Sequence, residues 1–190
     1  MTDSETCLIC IDMQNEFCLP TSPLCVAGAM GCLPKVTEAI EAARAKHLHV
    51  IWVIREHHPS GVDIEYTRTH LFKDGGGSTV PGTKGAELVE GLEVRHGELV
   101  LVKKRFSAFL HTHLDLVLRR LKVRRVVLCG VQTPNCVRAT AVDALGHDYE
   151  VAVLSDATAS KSEAVQEANL EDMRCMGIVT PTTAAWAAAL

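Results

Sequence analysis

The feature that most constrains the fold is a series of short, almost entirely apolar runs separated by longer amphipathic stretches. Continuous apolar runs of this length are typical of strands buried on both faces of a parallel sheet. The stretches between them carry apolar residues at three- and four-residue spacing, which predicts helices. The alternation indicates an α/β fold in which helices cover both faces of the sheet. The predicted strands are Leu8–Asp12, Val50–Ile54, Leu99–Val102, Val126–Val131, Val151–Leu154 and a weaker Ile178–Val179.

Length and composition narrow the class of protein. A chain of 190 residues predicts one domain over 1–190, and 47% apolar residues suffice for a sizeable core. The formal charge of −4 argues against a nucleic-acid partner, and no apolar run is long enough to cross a membrane. The acidic N-terminus does not resemble a secretory signal, so we expect a cytoplasmic protein whose eight cysteines are reduced.

One cysteine stands out by its position. Cys136 follows the apolar run Val126–Val131 and opens a helical pattern, with Thr133 as the predicted N-cap and Pro134 at the first helical position. The positive end of a helix favours the thiolate, which is the nucleophilic form of cysteine. The alternative is an inert cysteine of the core, which is where free cysteines commonly lie.

Two further reactive residues occupy equivalent places in the pattern. Asp12 ends the first predicted strand and Lys103 follows the third. Ligand sites in open parallel sheets form at the carboxyl ends of the strands, so Asp12, Lys103 and Cys136 can converge. Asp12 could exchange a proton with the thiol, and Lys103 could stabilise both anions. Taken singly, each of these residues is more often an ordinary turn or surface residue, and only their convergence favours catalysis.

Three segments carry a resemblance to a known superfamily. They run from Asp12 to Phe17, from Lys103 to Phe109 and from Gly130 to Val137, and they resemble the signature segments of the isochorismatase-like cysteine hydrolases. The similarity extends over nearly the whole chain, and the segments 55–59 and 85–92 are most similar to plant nicotinamidase-like members. The resemblance implies a three-layer α/β/α, Rossmann-like fold around a mostly parallel six-stranded sheet.

The resemblance also implies roles for residues at the site. It implies an Asp12–Lys103–Cys136 catalytic triad and a cis peptide bond between Val131 and Gln132. The backbone N–H groups of Gln132 and Cys136 would form the oxyanion hole. The residues that we predict to contact the substrate are Phe17, Gln14 and Arg105.

A metal is not expected. Glu56 and His58 stand where the metal-bearing nicotinamidases have two of their ligands, but Ile64 and Ser78 fall near the positions of further ones. Because zinc normally takes at least three protein ligands, we predict no cofactor, with Glu56 and His58 as the weak candidates.

The predicted reaction is hydrolysis of a small carboxamide through a thioester, with nicotinamide as the leading substrate. Alternatives with the same fold are hydrolysis of another amide, a ureido acid or a vinyl ether. A non-catalytic scaffold and a thiol redox sensor, in which Cys129 is the nearest second cysteine, are further alternatives. We expect a homodimer or homotetramer, and we expect the long segment 55–97 to shape the site or an interface.

Overall fold

The computed structural model describes residues 5–190, in which five parallel strands form one sheet. The strands are β1 (Thr6–Ile11), β2 (His49–Arg55), β3 (Leu99–Lys103), β4 (Arg125–Val131) and β5 (Glu150–Ala159). The helices are α1 (Asn15–Cys18), α2 (Ala29–Ala45), α3 (Leu114–Arg120), α4 (Arg138–Gly146), α5 (Glu163–Cys175) and α6 (Thr183–Ala188). Two 3₁₀ segments, Tyr66–Gly75 and Lys84–Ala86, and a π-helical turn, Thr133–Val137, complete the described elements.

The prediction of a sixth strand was wrong. The segment after α5 runs beside β5, but it forms only a single bridge, between Val179 and Ala152. Pro181 follows two residues later and has no N–H to donate, so a longer ladder cannot form there. The chain turns instead into α6.

The side chains of the central strand β1 point alternately to the two faces of the sheet, which explains the two layers of helices. Cys7, Ile9 and Ile11 of β1 point into one core, which also contains buried residues of α3, α4 and α5. Leu8 and Cys10 point into the opposite core, which contains the buried face of α2 and Trp186 of α6. Both faces of the sheet are therefore buried, which is why its strands read as continuous apolar runs.

The order of the strands is β3-β2-β1-β4-β5. The chain winds outward from β1 through β2 to β3, and then returns to the other side of β1 to form β4 and β5. A crevice forms at such a reversal, outside the carboxyl ends of the two central strands. Here that crevice lies beyond the ends of β1 and β4.

The long connection after β2 covers this end of the sheet. It contains both 3₁₀ segments and is tied to the chain after β1 by a bridge between Gln14 and Leu88. At the end of the connection, Glu98 accepts a hydrogen bond from the indole of the buried Trp52, at 2.7 Å. The last part of the connection is thus anchored at Leu88 and at Glu98. No helix in the described part of the chain is long and apolar enough to cross a membrane.

Candidate active site

Asp12 and Lys103 form a buried ion pair at the carboxyl ends of β1 and β3. Asp12 follows β1 with a φ of 52°, a left-handed conformation that aspartate tolerates better than most residues. Its Oδ2 lies 2.7 Å from Nζ of Lys103, and the two side chains are almost completely buried. A buried charge pair persists only where each charge is compensated, and here each compensates the other.

The sulfur of Cys136 completes this cluster. Cys136 lies in the π-helical turn between β4 and α4, and its Sγ is 3.3 Å from Nζ of Lys103. The ammonium group of Lys103 therefore contacts both Asp12 and Cys136. The convergence predicted from the strand ends is what the structure contains.

The local prediction for the turn was partly wrong. The N-cap residue of the turn is Gln132 rather than Thr133, and the side chain of Gln132 makes no capping hydrogen bond. The hydroxyl of Thr133 instead donates to the carbonyl of Ala159 in β5, at 3.1 Å. Thr133 thus fastens the turn to the sheet, which fixes the position of Cys136.

The pKa of the Cys136 thiol lies above its usual value, in contrast to the thiolate expected from the sequence. Burial is the largest cause, and the negative charge of Asp12 adds to it. Lys103 and Arg55 act in the opposite direction but do not outweigh these two. Cys136 therefore rests as a neutral thiol, and a base must take its proton before it can attack.

Asp12 is placed to be that base. Its Oδ1 is buried, and its carboxylate is a hydrogen-bond partner of the Cys136 thiol. A carboxylate oxygen in this position can accept a hydrogen bond from a nearby S–H, N–H or O–H group. The thiol of Cys136 and the substrate are the candidate donors.

Arg55 is a residue of the site that the sequence analysis missed. It ends β2, is 1% exposed, and its Nη2 lies 3.9 Å from the sulfur of Cys136. Its Nη1 binds both carboxylate oxygens of Glu65, at 2.8 and 2.9 Å. The sequence did contain a signal, because Arg55 directly follows the apolar run Val50–Ile54, as Lys103 follows Leu99–Val102. In the structure, Arg55 and Lys103 are partners in the β2–β3 register.

Asp12 and Cys136 of this cluster open onto a small cavity of about 70 Å³. Phe17, predicted as an aromatic wall, is among its lining residues, and Arg68 was not anticipated. The full lining consists of Asp12, Phe17, Leu24, Val26, Arg68, Val131, Gln132, Asn135 and Cys136.

The other two residues predicted to bind substrate are engaged elsewhere. The side-chain amide of Gln14 accepts from the backbone N–H of Arg55 and donates to the carbonyls of Arg55 and Ala86. Arg105 donates to the carbonyls of Asp63 and Lys104. Neither lines the cavity, so Gln14 and Arg105 hold the surrounding backbone in place.

The backbone at the end of β4 has the conformation expected from the resemblance. The Val131–Gln132 peptide bond is cis, and the N–H-bearing residues Gln132 and Cys136 both line the cavity. Gly130 precedes this bond with a φ of 104°. A Cβ at Gly130 would lie 2.1 Å from the carbonyl oxygen of Ile11, so only glycine fits beside β1.

The described residues bring together no set of metal ligands. No group of three or more histidine, cysteine, aspartate or glutamate side chains within residues 5–190 could hold a metal ion. His58, one of the two weak candidates, is exposed and its Nδ1 lies 2.8 Å from the hydroxyl of Ser60. Glu56 is partly buried and has no such partner set around it.

Comparison with known proteins identifies the family. A model of the isochorismatase domain matches residues 6–185, which is nearly the whole chain. The chain belongs to the isochorismatase family. The three segments that carried the resemblance, and the cluster of Asp12, Lys103 and Cys136, lie within the matched residues.

Members of the isochorismatase family are similar to this chain over most of its length. A protein of Arabidopsis thaliana named probable inactive nicotinamidase is 42% identical over 184 residues, which are 95% of this chain and 94% of that protein. The ureidoacrylate amidohydrolase of Azorhizobium caulinodans is 30% identical over 177 residues, which are 81% of this chain and 76% of the relative. Among solved structures, an isochorismatase family protein from Desulfovibrio vulgaris superposes with a TM-score of 0.94, at 48% identity and 96% coverage of both chains.

Proposed function

We propose that this isochorismatase-family chain is a cysteine hydrolase that cleaves the C–N bond of a small amide through a thioester on Cys136. The observation that carries the proposal is the position of the Lys103 ammonium, 2.7 Å from Asp12 and 3.3 Å from the sulfur. A buried base, a nucleophile and a cation that contacts both are the parts that acyl transfer requires.

The first half of the reaction forms the thioester. Asp12 takes the proton of the Cys136 thiol, and the sulfur attacks the carbonyl carbon of the amide. Lys103 and Arg55 stabilise the developing thiolate, which offsets the effect of burial. The backbone N–H groups of Gln132 and Cys136 donate to the oxyanion of the tetrahedral intermediate. The C–N bond then breaks as Asp12 returns its proton to the leaving nitrogen.

The second half releases the acid. Water enters the place that the amine has left, and Asp12 takes one of its protons as the oxygen attacks the thioester. The tetrahedral intermediate collapses, the C–S bond breaks, and the sulfur regains the proton from Asp12. One amide bond and one water are consumed, and an acid and an amine or ammonia are formed.

Nicotinamide and a ureido acid are the two substrates to test first. The wall formed by Phe17 and the nicotinamidase-like resemblance favour nicotinamide, and the similarity to a ureidoacrylate amidohydrolase favours a ureido acid. A vinyl ether is a weaker candidate, because that reaction has no need of the nucleophile that Cys136 supplies. A homodimer or homotetramer remains our prediction for the assembly, to be measured by light scattering.

The test is ammonia release from nicotinamide and from small ureido acids by the purified protein, compared with Cys136→Ala. Cys175→Ala is the matched control, because Cys175 is exposed and lies in α5, away from the cluster. We expect turnover in the wild type and in Cys175→Ala, and at least a thousandfold less in Cys136→Ala, on the order seen when a nucleophile is removed. Equal turnover in Cys136→Ala contradicts the mechanism. Absence of turnover on every amide tested, from folded protein, supports the scaffold alternative.

A further inference from the structure

Arg68 is a cation in the wall of the cavity to which the proposed chemistry gives no role. It lies in the 3₁₀ segment Tyr66–Gly75, which covers the carboxyl end of the sheet, and it lines the cavity together with Asp12 and Cys136. Its guanidinium carbon lies 4.8 Å from the centre of the Phe106 ring. Stacking of this kind restrains a guanidinium without using any of its N–H donors.

The donors of Arg68 are unused in the described part of the chain. No hydrogen bond or ion pair joins its side chain to another described residue. The neighbouring Glu65 is influenced by the charge of Arg68, but both of its oxygens are bonded to Arg55. Arg68 is therefore a half-buried residue of the cavity lining whose guanidinium is bonded to no described carboxylate.

The balance of charge around the cavity leads to the same conclusion. Lys103 is paired with Asp12, and Arg55 is paired with Glu65. Arg68 adds a further positive charge, and Glu65, which interacts with it at a distance, is already bonded to Arg55. A partly desolvated cation of this kind is stabilised by an anion that brings acceptor oxygens to it.

We propose that the substrate amide carries a carboxylate, and that Arg68 binds this carboxylate while Cys136 attacks the amide carbonyl. The inference rests on the proposed function, and it selects among the substrates named there. Nicotinamide is uncharged and would leave the guanidinium unpaired. An amide that carries a carboxylate, such as a ureido acid, supplies the missing anion. Such an acid is a small one, because the cavity measures about 70 Å³.

A carboxylate fits this wall better than a phosphate. A planar carboxylate can accept two parallel N–H donors from one guanidinium, and it brings a single negative charge. Arg68 is the one cation of the cavity lining, and Asp12 in the same lining repels a second negative charge. The geometry thus points to a monoanionic acid with its amide directed toward Cys136.

The test uses two alkylating reagents that differ in charge. Iodoacetate and iodoacetamide both transfer a two-carbon group to a thiolate and release iodide, but only iodoacetate carries a carboxylate. Alkylation rates at Cys136 are measured at mildly alkaline pH by peptide mass spectrometry, in the wild type and in Arg68→Gln. Arg120→Gln is the matched control, because it removes the same charge from an exposed position on α3.

The quantity compared is the rate with iodoacetate divided by the rate with iodoacetamide. We expect Arg68→Gln to lower this ratio about tenfold or more, since a charge-assisted hydrogen bond accounts for a factor of that order. Arg120→Gln should keep the wild-type ratio. An equal ratio in the wild type and Arg68→Gln overturns the inference. So does a Cys136 that neither reagent modifies, because the cavity then recruits no carboxylate to the sulfur.

Hydrolysis distinguishes this inference from the proposed function. The same variants are assayed with succinamate, which carries an amide and a carboxylate, and with neutral butyramide. A preference for iodoacetate without hydrolysis of any amide contradicts the proposed function and leaves the carboxylate site in place. Hydrolysis with equal preference for succinamate and butyramide in the wild type contradicts the carboxylate site and leaves the proposed function in place.

Discussion

The guanidinium of Arg55 lies 3.9 Å from the sulfur of Cys136, so the buried thiol faces a second cation in addition to Lys103. Both cations lower the pKa of Cys136, while burial and Asp12 raise it more. Cys136 is thus held as a thiol whose ionisation depends on the sum of several opposing charges.

Replacing Arg55 should make the thiol harder to ionise. In Arg55→Met the pKa of Cys136 rises further, since one of the two cations that lower it is gone. We expect the rate of alkylation by iodoacetamide at neutral pH to fall about tenfold and its pH profile to move to higher pH. Arg55→Lys, which keeps the charge, should recover part of the rate. An unchanged profile in Arg55→Met would show that Arg55 acts on the fold alone.

The ion pair of Lys103 and Asp12 should behave as a unit in stability measurements. Lys103→Met leaves the Asp12 carboxylate buried and unpaired, which should lower the free energy of unfolding by about 3 kcal/mol or more. Adding Asp12→Asn removes the stranded charge and should restore at least half of that loss. Urea denaturation of the two single variants and the double variant measures this coupling. Additive losses would mean that the two charges are stabilised independently.

Gly130 should tolerate no side chain. The Cβ of Gly130→Ala would meet the backbone of Ile11 at 2.1 Å, and the φ of 104° is itself unfavourable for alanine. We expect a loss of more than about 2 kcal/mol in the free energy of unfolding. Gly31→Ala is the control, since that position in α2 has open space and should gain up to about 1 kcal/mol. Equal stabilities of the two variants would contradict the close packing of β4 on β1.

His57 should make the protein sensitive to mild acid. It is completely buried, with Arg55 Nη1 at 3.5 Å, Asp63 Oδ1 at 3.2 Å and the edge of Phe72 on its ring. Burial is the largest cause that lowers the pKa of His57 from its usual 6.5, and Arg55 adds to it, while Asp63 and Glu65 oppose it. The stabilising contribution is complete above 6.5 and is lost as the pH falls toward the folded-state value. In that window the unfolded chain binds a proton that the native state excludes.

The corresponding measurement is the urea midpoint as a function of pH. We expect it to fall as the pH drops below 6.5 in the wild type, and to fall less steeply in His57→Gln. His96→Gln is the control, because His96 is exposed. Parallel curves for the wild type and His57→Gln would assign the acid sensitivity to other groups.

The sequence predicted the parts of the site that depend on strand ends. Asp12, Lys103 and Cys136 were placed by one rule, because the residues that follow parallel strands meet at one edge of the sheet. The same rule applied to β2 would have included Arg55, which looked like the start of a loop. The rule predicts where a residue lies but not how its side chain titrates. It therefore could not show that burial would raise the pKa of Cys136.

Other features depend on contacts between distant segments and could not be read from local patterns. Gln14 binds the backbone at Arg55, 41 residues away, and this is why it is absent from the cavity. Arg68 reaches the cavity only because the connection after β2 folds back over the sheet. The sixth strand does not form for a local reason, because Pro181 has no N–H to donate. The prediction was based on the apolar pattern alone and did not take Pro181 into account.

The strand order has a consequence for how the site forms during folding. The site draws on the ends of four adjacent strands, β3, β2, β1 and β4, and Lys103 contacts both Asp12 and Cys136, which lie far from it in the chain. Contacts of large sequence separation carry a large loop-closure entropy and slow the folding of the chain. The chemical environment of Cys136 therefore exists only in chains whose central sheet is fully assembled, and its reactivity reports the completion of folding.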